Sequence, residues 1–173
     1  MTEPYDFVAI GDIVVDAFIE LDKDQADVSI DMDTGRKTLH MPFGSKLPYQ
    51  NVTVVNAVGN SPNAAVSAHR LGLKTALVTS VGTDRYGKDC LDALRQEGVH
   101  TDFVKQHEGK ETNYHYVLRY GPERTILIKH ETYPYVLPDF DTPPRYIYFS
   151  SIGEHGMPYH FEIAKYVKEH PET

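Results

Sequence analysis

The sequence predicts an α/β fold, a sandwich in which helices cover a mainly parallel sheet, with a small β-sheet lid. Short, continuous apolar runs at residues 7–15, 74–81 and 146–150 are typical of parallel strands that are covered on both faces. Segments with a helical spacing of apolar residues come between or after these runs, and β-prone pieces with polar turns are interposed. This order of elements favours an α/β sandwich that carries additional hairpins.

The first third of the chain predicts one buried strand followed by a half-exposed sheet. Residues 7–15 form the strand, with Gly11 and Asp12 inside the run, and Asp12 is interpreted as a turn residue. Residues 18–58 show no helical period; short β-prone pieces alternate with polar turns. Residues 33–35, Asp-Thr-Gly, supply a hairpin turn.

Two helices are predicted in the middle of the chain. Ser61 is expected as the N-cap of the first helix, with Pro62 at its first helical position and Gly72 at its end. The second helix is expected over residues 86–97, and Gly98 ends it. The predicted buried faces are Ala64, Ala65, Ala68 and Leu71 in the first helix, and Tyr86, Cys90, Leu91 and Leu94 in the second.

The last third predicts two strands at 113–120 and 124–130, joined by a turn, then the 146–150 strand and a helix at 159–169. The inward face of that helix is predicted as Tyr159, Ile163, Tyr166 and Val167. The total is about three or four core strands and three helices, fewer than a complete doubly wound sheet usually has. Two explanations stay open: the chain is part of a longer protein, or it is a natural half-domain that pairs with a partner.

Composition limits the function classes. The 173 residues suit one domain, and 17 basic against 25 acidic residues give a net charge of −8, which disfavours nucleic acid binding. No apolar run approaches the ~20 residues of a membrane span, and the acidic N-terminus does not resemble a signal peptide. The single cysteine, Cys90, favours a reducing compartment, and we expect a cytoplasmic protein. The nine histidines show no metal-binding spacing, so no metal site is expected.

The segment from residue 58 to residue 102 resembles the N-terminal signature of the ribokinase-like (PfkB) carbohydrate kinases. It contains an Asn-Ser-Pro-Asn turn that opens an Ala-rich helix, a Leu-Gly stop, a strand, Val-Gly-x-Asp-x-x-Gly and a second amphipathic helix. The sequence GPERTIL, from Gly121 to Leu127, is similar to the family's Gly-Glu-Arg-Thr turn. The resemblance extends over about residues 7–170 and corresponds to the N-terminal half of a complete family member. It implies a ribokinase-like α/β/α sandwich, incomplete, with lid segments near 18–57 and 112–131 of a single domain, 1–173.

The resemblance also implies the substrate-binding residues. Asp16 falls at the family's sugar-binding Asp, whereas Gly59 and Asn63 match the Gly-Gly-x-x-x-Asn motif, with Asn60 at a position that often contacts substrate. Val58 replaces the first Gly of that motif. The chemistry is consistent, because a polyhydroxy substrate is held by carboxylates that accept hydrogen bonds and by amides that both accept and donate.

The family resemblance implies an ATP- and Mg²⁺-dependent transfer of a phosphoryl group to a hydroxyl of a sugar or a nucleoside. The family's Gly-Ala-Gly-Asp and Asn-x-x-Glu motifs do not occur in this sequence. We therefore expect no catalytic residue in this chain, which would supply the substrate side of the site and the lid and be inactive alone. The alternative is a non-catalytic kinase-like module for dimerisation or ligand sensing. A homodimer through the lid is a family expectation under either hypothesis.

Overall fold

The computed structural model describes residues 3–173, which divide into two compact units. The first unit contains the described residues up to Val15, together with Asn56–Tyr114 and Lys129–Thr173. The second unit contains Asp16–Val55 and His115–Ile128. Two separate segments of the chain therefore build the second unit.

Strands and helices alternate along the first unit, and strands alone make up the second. In chain order the strands are β1 (Phe7–Ile10), β2 (Val14–Leu21), β3 (Asp27–Ile30), β4 (Lys37–His40), β5 (Tyr49–Val58), β6 (Thr75–Gly82), β7 (Val104–His107), β8 (Tyr114–Tyr120), β9 (Glu123–Lys129) and β10 (Tyr146–Phe149). The α-helices are α1 (Asn60–Arg70), α2 (Arg85–Gln96) and α3 (Met157–Glu169).

The sheet of the first unit has four strands in the order β10-β1-β6-β7. All three strand pairs are parallel, and Phe7 pairs with both Tyr146 and Thr75. Strand β1 is therefore flanked on both sides, and its Val8, Ala9 and Ile10 are buried, as expected for a strand inside a parallel sheet.

Successive residues of the sheet face two different cores. Ala9 and Leu77 pack with Ala65 of α1 and with Cys90 and Leu94 of α2. Their neighbours in the strands face the other side, where they pack with α3; this second cluster contains Val8, Ile10, Ala76, Val78, Tyr159 and Ile163. Helices thus cover both faces of the sheet, and the predicted α/β/α fold class is confirmed.

The sheet in which the second unit takes part has the strand order β5-β2-β8-β9, and β3 and β4 form a separate antiparallel hairpin. The predicted turn of that hairpin is confirmed. Gly35 has φ 69° and its amide donates to Asp31 O at 2.8 Å, while Asp31 N donates to Arg36 O at 2.9 Å. Glycine suits this turn because a positive φ costs it little.

Several predicted element details were wrong. Residues 7–15 do not form one strand, because the chain bends at Gly11, whose φ is 156° and whose amide donates to Val78 O at 3.2 Å. Ser61 is not the N-cap of α1; Gly59 occupies that position, and the Ser61 hydroxyl donates to Ile10 O instead. Strand β7 was not predicted.

Three helix-face predictions were also wrong. Leu71 is 84% exposed, because α1 already ends at Arg70 and Leu71 is its C-cap. Val167 of α3 is 38% exposed, whereas Tyr159 and Ile163 fill the buried face. Tyr86 of α2 is 39% exposed and packs against Tyr114 with ring centroids 4.7 Å apart.

Candidate functional site

Three segments of the first unit meet at the carboxyl end of β1, where ligands bind in open α/β sheets. The chain leaving β1 and the chain leaving β10 are joined by backbone bonds: Ser150 N donates to Ile10 O at 3.0 Å, and Asp12 N donates to Ser151 O at 3.1 Å. The N-terminus of α1 is the third segment, since Ser61 Oγ donates to Ile10 O at 2.7 Å.

The contact among these segments is close enough to require glycine. A Cβ atom on Gly11 would lie 2.5 Å from Ser61 Oγ and 2.7 Å from Ser150 Oγ. A Cβ atom on Gly59 would lie 2.9 Å from Asp12 O, and the φ of Gly59 is 125°. Gly11 therefore leaves room for the two serine hydroxyls, whereas Gly59 lets its backbone lie close to that of Asp12.

The predicted substrate residues Gly59, Asn60 and Asn63 lie together on the first turn of α1. The turn is closed by Asn63 N, which donates to Gly59 O at 3.1 Å. Both asparagine side chains are exposed, and Asn60 Nδ2 donates to Ser151 Oγ at 2.9 Å. The structure therefore brings three of the four predicted residues to the carboxyl edge of the parallel sheet.

Strained backbone precedes this turn. Ala57 has φ 58°, a left-handed conformation that is unfavourable for a residue with a Cβ atom. Its amide donates to the sulfur of the buried Cys90 at 3.3 Å, and its methyl group belongs to the core. Such strain is concentrated at functional sites, and here it lies two residues before Gly59.

A network of titratable groups also occupies the carboxyl edge of β1. The Tyr135 hydroxyl lies 3.0 and 3.1 Å from the two carboxylate oxygens of Asp12 and accepts from Gly153 N at 2.7 Å. His130 Nδ1 lies 3.8 Å from Asp12 Oδ2. Burial raises the pKa of the Asp12 carboxyl, although Tyr135 and the nearby histidines act in the opposite direction. Asp12, which the sequence indicated as a turn residue, therefore also accepts a hydrogen bond from Tyr135 and lies near His130.

Asp16, the fourth predicted residue, belongs to the second unit. Its side chain is 20% exposed, and its Oδ1 lies 3.2 Å from His115 Nδ1. That oxygen is buried and has no hydrogen bond of acceptable geometry within the described residues. His115 Nδ1 is therefore the neighbour that the structure places beside this carboxylate oxygen.

Sequence reasoning missed Tyr135, His115 and His130. The hydrogen-bonded pair of Tyr135 and Asp12 is 123 positions apart in the chain, and no local motif marks either residue. His115 was missed for the same kind of reason, since only the pairing of strand β8 beside β2, which carries Asp16, brings the two residues together.

In the described range, no three His, Cys, Asp or Glu side chains group closely enough to hold a metal ion. Within residues 3–173, no helix has both the length and the apolar character needed to cross a bilayer.

Structural comparison supports the fold. The chain is similar to the ribokinase of Cryptococcus neoformans var. grubii serotype A in complex with ADP, with TM-score 0.62, 19% identity and coverage of 92% of this chain and 43% of that one. It is also similar to Arabidopsis thaliana ribokinase complexed with ribose and ATP, with TM-score 0.57, 21% identity and coverage of 73% and 36%.

Sequence comparison assigns the family. The chain is 36% identical to the ribokinase of Bacillus subtilis over 72 residues and 35% identical to that of Mus musculus over 68 residues. The matches cover 41% and 36% of this chain, but only 25% and 21% of those relatives. The family model described as pfkB family carbohydrate kinase matches residues 28–134, more than half of the chain. The chain therefore belongs to the pfkB family of carbohydrate kinases.

Proposed function

We propose that this chain supplies the substrate side of an ATP-dependent kinase that phosphorylates a hydroxyl of a sugar or a nucleoside. The observation that carries the proposal is the family match over residues 28–134, which includes the α1 turn with Gly59, Asn60 and Asn63. The relatives named above are ribokinases, and one of the similar structures contains ribose and ATP. These findings favour a small polyhydroxy substrate.

Asp16 is proposed as an acceptor for a substrate hydroxyl. Its Oδ1 is buried, has no hydrogen bond of acceptable geometry within residues 3–173, and lies beside His115. A hydroxyl that donates to this carboxylate would satisfy it, and hydrogen bonds to charged groups contribute more than neutral ones.

The α1 turn is proposed to contact substrate hydroxyls through groups of its own. Asn60 uses one side-chain N–H on Ser151, which leaves its second N–H and its amide oxygen for a ligand. Asn63 presents an exposed amide one turn further, and Gly59 lets a ligand approach the backbone closely. Amides that both donate and accept suit hydroxyl groups, which do the same.

ATP and Mg²⁺ are proposed as the partners of the complete reaction, because a nucleotide is bound in both similar structures. The described residues provide no group of three metal ligands, so we propose for Mg²⁺ only that it accompanies the nucleotide. In the proposed reaction the substrate hydroxyl bonds to the γ-phosphorus of ATP, the bond to ADP breaks and the hydroxyl proton is released. The residues of this chain bind and orient that alcohol.

Segments near 18–57 and 112–131 are proposed to act as a lid of a single ribokinase-like domain. The division of the chain supports this, since Asp16–Val55 and His115–Ile128 form a unit distinct from the parallel sheet. A lid that excludes water would direct the phosphoryl group to the alcohol instead of to water.

A second candidate function, a module for homodimerisation or ligand sensing, is favoured by one observation. Both outer strands of the β5-β2-β8-β9 sheet carry exposed apolar side chains, which is unusual for a surface without a partner. They are Val52 (43% exposed), Val54 (48%), Ile126 (41%), Leu127 (52%) and Ile128 (70%).

The kinase proposal is tested on the full-length protein with a panel of sugars and nucleosides in the presence of ATP and Mg²⁺. Asp16→Ala should raise KM for the accepted substrate by roughly 10- to 100-fold, as expected for loss of a hydrogen bond to a charged group. The matched control is Asp33→Ala, in the exposed hairpin of the same unit, which should leave KM unchanged. An unchanged KM in Asp16→Ala would exclude Asp16 as a substrate ligand.

Light scattering during size exclusion separates the two candidate functions. The module is favoured if the full-length protein phosphorylates nothing in the panel and elutes as a dimer that Ile128→Lys dissociates. Phosphorylation of any compound in the panel supports the kinase.

A further inference from the structure

The Tyr135 hydroxyl joins two loops of the first unit that leave neighbouring strands. Its oxygen accepts from Gly153 N at 2.7 Å, in the segment after β10. It lies 3.0 Å from Asp12 Oδ1 and 3.1 Å from Asp12 Oδ2, in the segment after β1. Because the carboxylate only accepts, Tyr135 donates its single hydrogen to Asp12 while it accepts from Gly153.

The ring of Tyr135 is held independently of its hydroxyl. It stacks on His155, with centroids 4.9 Å apart, and on Tyr159 of α3, with centroids 5.6 Å apart. His155 is itself fixed by a hydrogen bond of 2.9 Å between its Nε2 and Tyr133 O. Removal of the hydroxyl alone should therefore break the two hydrogen bonds without displacing the ring.

The loop that Tyr135 holds carries the contact to a candidate substrate residue. Ser151, two residues before Gly153, accepts the side-chain N–H of Asn60 at 2.9 Å. The backbone oxygen of Ser151 accepts from Asp12 N at 3.1 Å. Tyr135, Asp12 and the loop after β10 thus form one connected network that ends at the Asn60 amide.

We propose that Tyr135 is a positioning residue that fixes the loop after β10, so that Ser151 holds the Asn60 amide in the orientation that binds the substrate hydroxyl. This inference rests on the proposed function and goes beyond it, because Tyr135 lies outside the residues that the family resemblance indicates. Tyr135 acts through Asn60 and touches no reacting atom. An amide fixed in advance loses less rotational freedom on binding, which increases affinity for the substrate.

The test uses Tyr135→Phe in the full-length protein. KM for the sugar or nucleoside should rise roughly tenfold, as for the loss of one well-placed hydrogen bond. The value of kcat and KM for ATP should stay within about twofold, because the phosphoryl-transfer groups are untouched. The matched control is Tyr5→Phe. Tyr5 precedes β1, and the substitution removes its hydroxyl, which donates to Asp102 Oδ2 at 2.9 Å. This control should leave kcat and both KM values unchanged.

A double-mutant cycle with Asn60→Ala separates positioning from a general loss of structure. If Tyr135 acts through Asn60, Tyr135→Phe adds nothing to KM when Asn60 is already alanine. Ser151→Ala, which removes the intermediate contact, should reproduce the KM of Tyr135→Phe. Additive effects of Tyr135→Phe and Asn60→Ala, or an unchanged KM in Tyr135→Phe, would overturn the proposal.

A measurement without substrate distinguishes failure of this proposal from failure of the proposed function. In ¹H–¹⁵N NMR spectra of the sugar-free protein, the two side-chain N–H signals of Asn60 should be dispersed, and Tyr135→Phe should move them towards free-amide positions. If the protein phosphorylates nothing but these signals respond, the positioning role is retained and the kinase proposal fails. Signals that do not respond to Tyr135→Phe overturn the positioning role, whatever the activity.

Discussion

The hydroxyl oxygens of Ser61 and Ser150 lie 2.5 Å apart, and Ser150 is the donor. The single hydrogen of Ser61 is already given to Ile10 O at 2.7 Å, and a carbonyl oxygen only accepts. Ile10 O also accepts Ser150 N, so β1, β10 and the start of α1 share one carbonyl.

Ser61→Ala should therefore lower the free energy of unfolding by about 1–2 kcal/mol, since Ser61 is fully buried and Ser150 Oγ loses its acceptor. Urea unfolding followed by circular dichroism measures this. Ser67→Ala, on the exposed side of the same helix, serves as the control and should change the stability by less than about 0.5 kcal/mol. Equal effects of the two substitutions would contradict the predicted difference in stability.

Gly59→Ala should be more costly than a comparable glycine substitution. The new Cβ would meet Asp12 O at 2.9 Å and would also impose strain at φ 125°. Gly72→Ala is matched to it: Gly72 has φ 94° and follows the other end of α1, but nothing lies within 4 Å of its added Cβ. We expect Gly59→Ala to lower the unfolding free energy by at least roughly 1 kcal/mol more than Gly72→Ala. The difference between the urea midpoints of the two variants measures the cost of the contact between the new Cβ atom and Asp12 O, because both glycines have a positive φ.

The N-terminus of α2 should make the protein sensitive to acid. Asp84 accepts from Gly87 N at 2.8 Å, from Thr112 N at 3.0 Å and from Thr112 Oγ1 at 2.6 Å. Burial pushes the pKa of the Asp84 carboxyl up, but these hydrogen bonds outweigh it and hold the pKa below its usual value. The stabilisation is therefore fully present above the unfolded pKa of about 3.9 and is lost as pH falls through the lower folded pKa.

Asp84→Asn should reduce the unfolding free energy at pH 7 by about 0.5–2 kcal/mol and weaken its decline between pH 5 and 3, in the range expected for loss of an N-cap. Asp89→Asn, which removes only a surface ion pair with Arg85 in the same helix, provides the control. An Asp84→Asn profile parallel to the wild-type profile at all pH values would contradict this prediction.

Cys90 should be unreactive in the folded protein. Burial raises the pKa of its thiol to about 11, and the side chain is completely buried between α2 and the sheet. Ellman's reagent at pH 8 should therefore label no thiol until urea unfolds the chain, and one thiol afterwards. Rapid labelling in the absence of urea would contradict this prediction, because it would show that the core around Cys90 opens in the folded protein.

The parts of the fold that the sequence predicted depend on local patterns. The α1 turn was recognised because Gly59 and Asn63 form a spaced motif, and the parallel strands because their apolar runs are continuous. Strand β7 was missed since its four residues, Val-Lys-Gln-His, carry almost no apolar signal. Leu71 was placed in the core because periodicity does not reveal that the helix ends at Arg70.

The site was predictable only where a motif marks it. The asparagines of α1 have a local signature, but Tyr135 acquires its role from Asp12, 123 positions away, and from Gly153, 18 positions away. Contacts of this kind arise from the strand order β10-β1-β6-β7, which periodicity in a single sequence does not specify.

The central place of β1 has a consequence during synthesis on the ribosome. Phe7 is made before both of its partners, Thr75 on one side and Tyr146 on the other. At about 5–20 residues per second, β1 waits several seconds for its first neighbour and longer for its second. Until then its apolar side chains and unpaired backbone are open to other chains, so holding chaperones should bind the nascent protein in this interval.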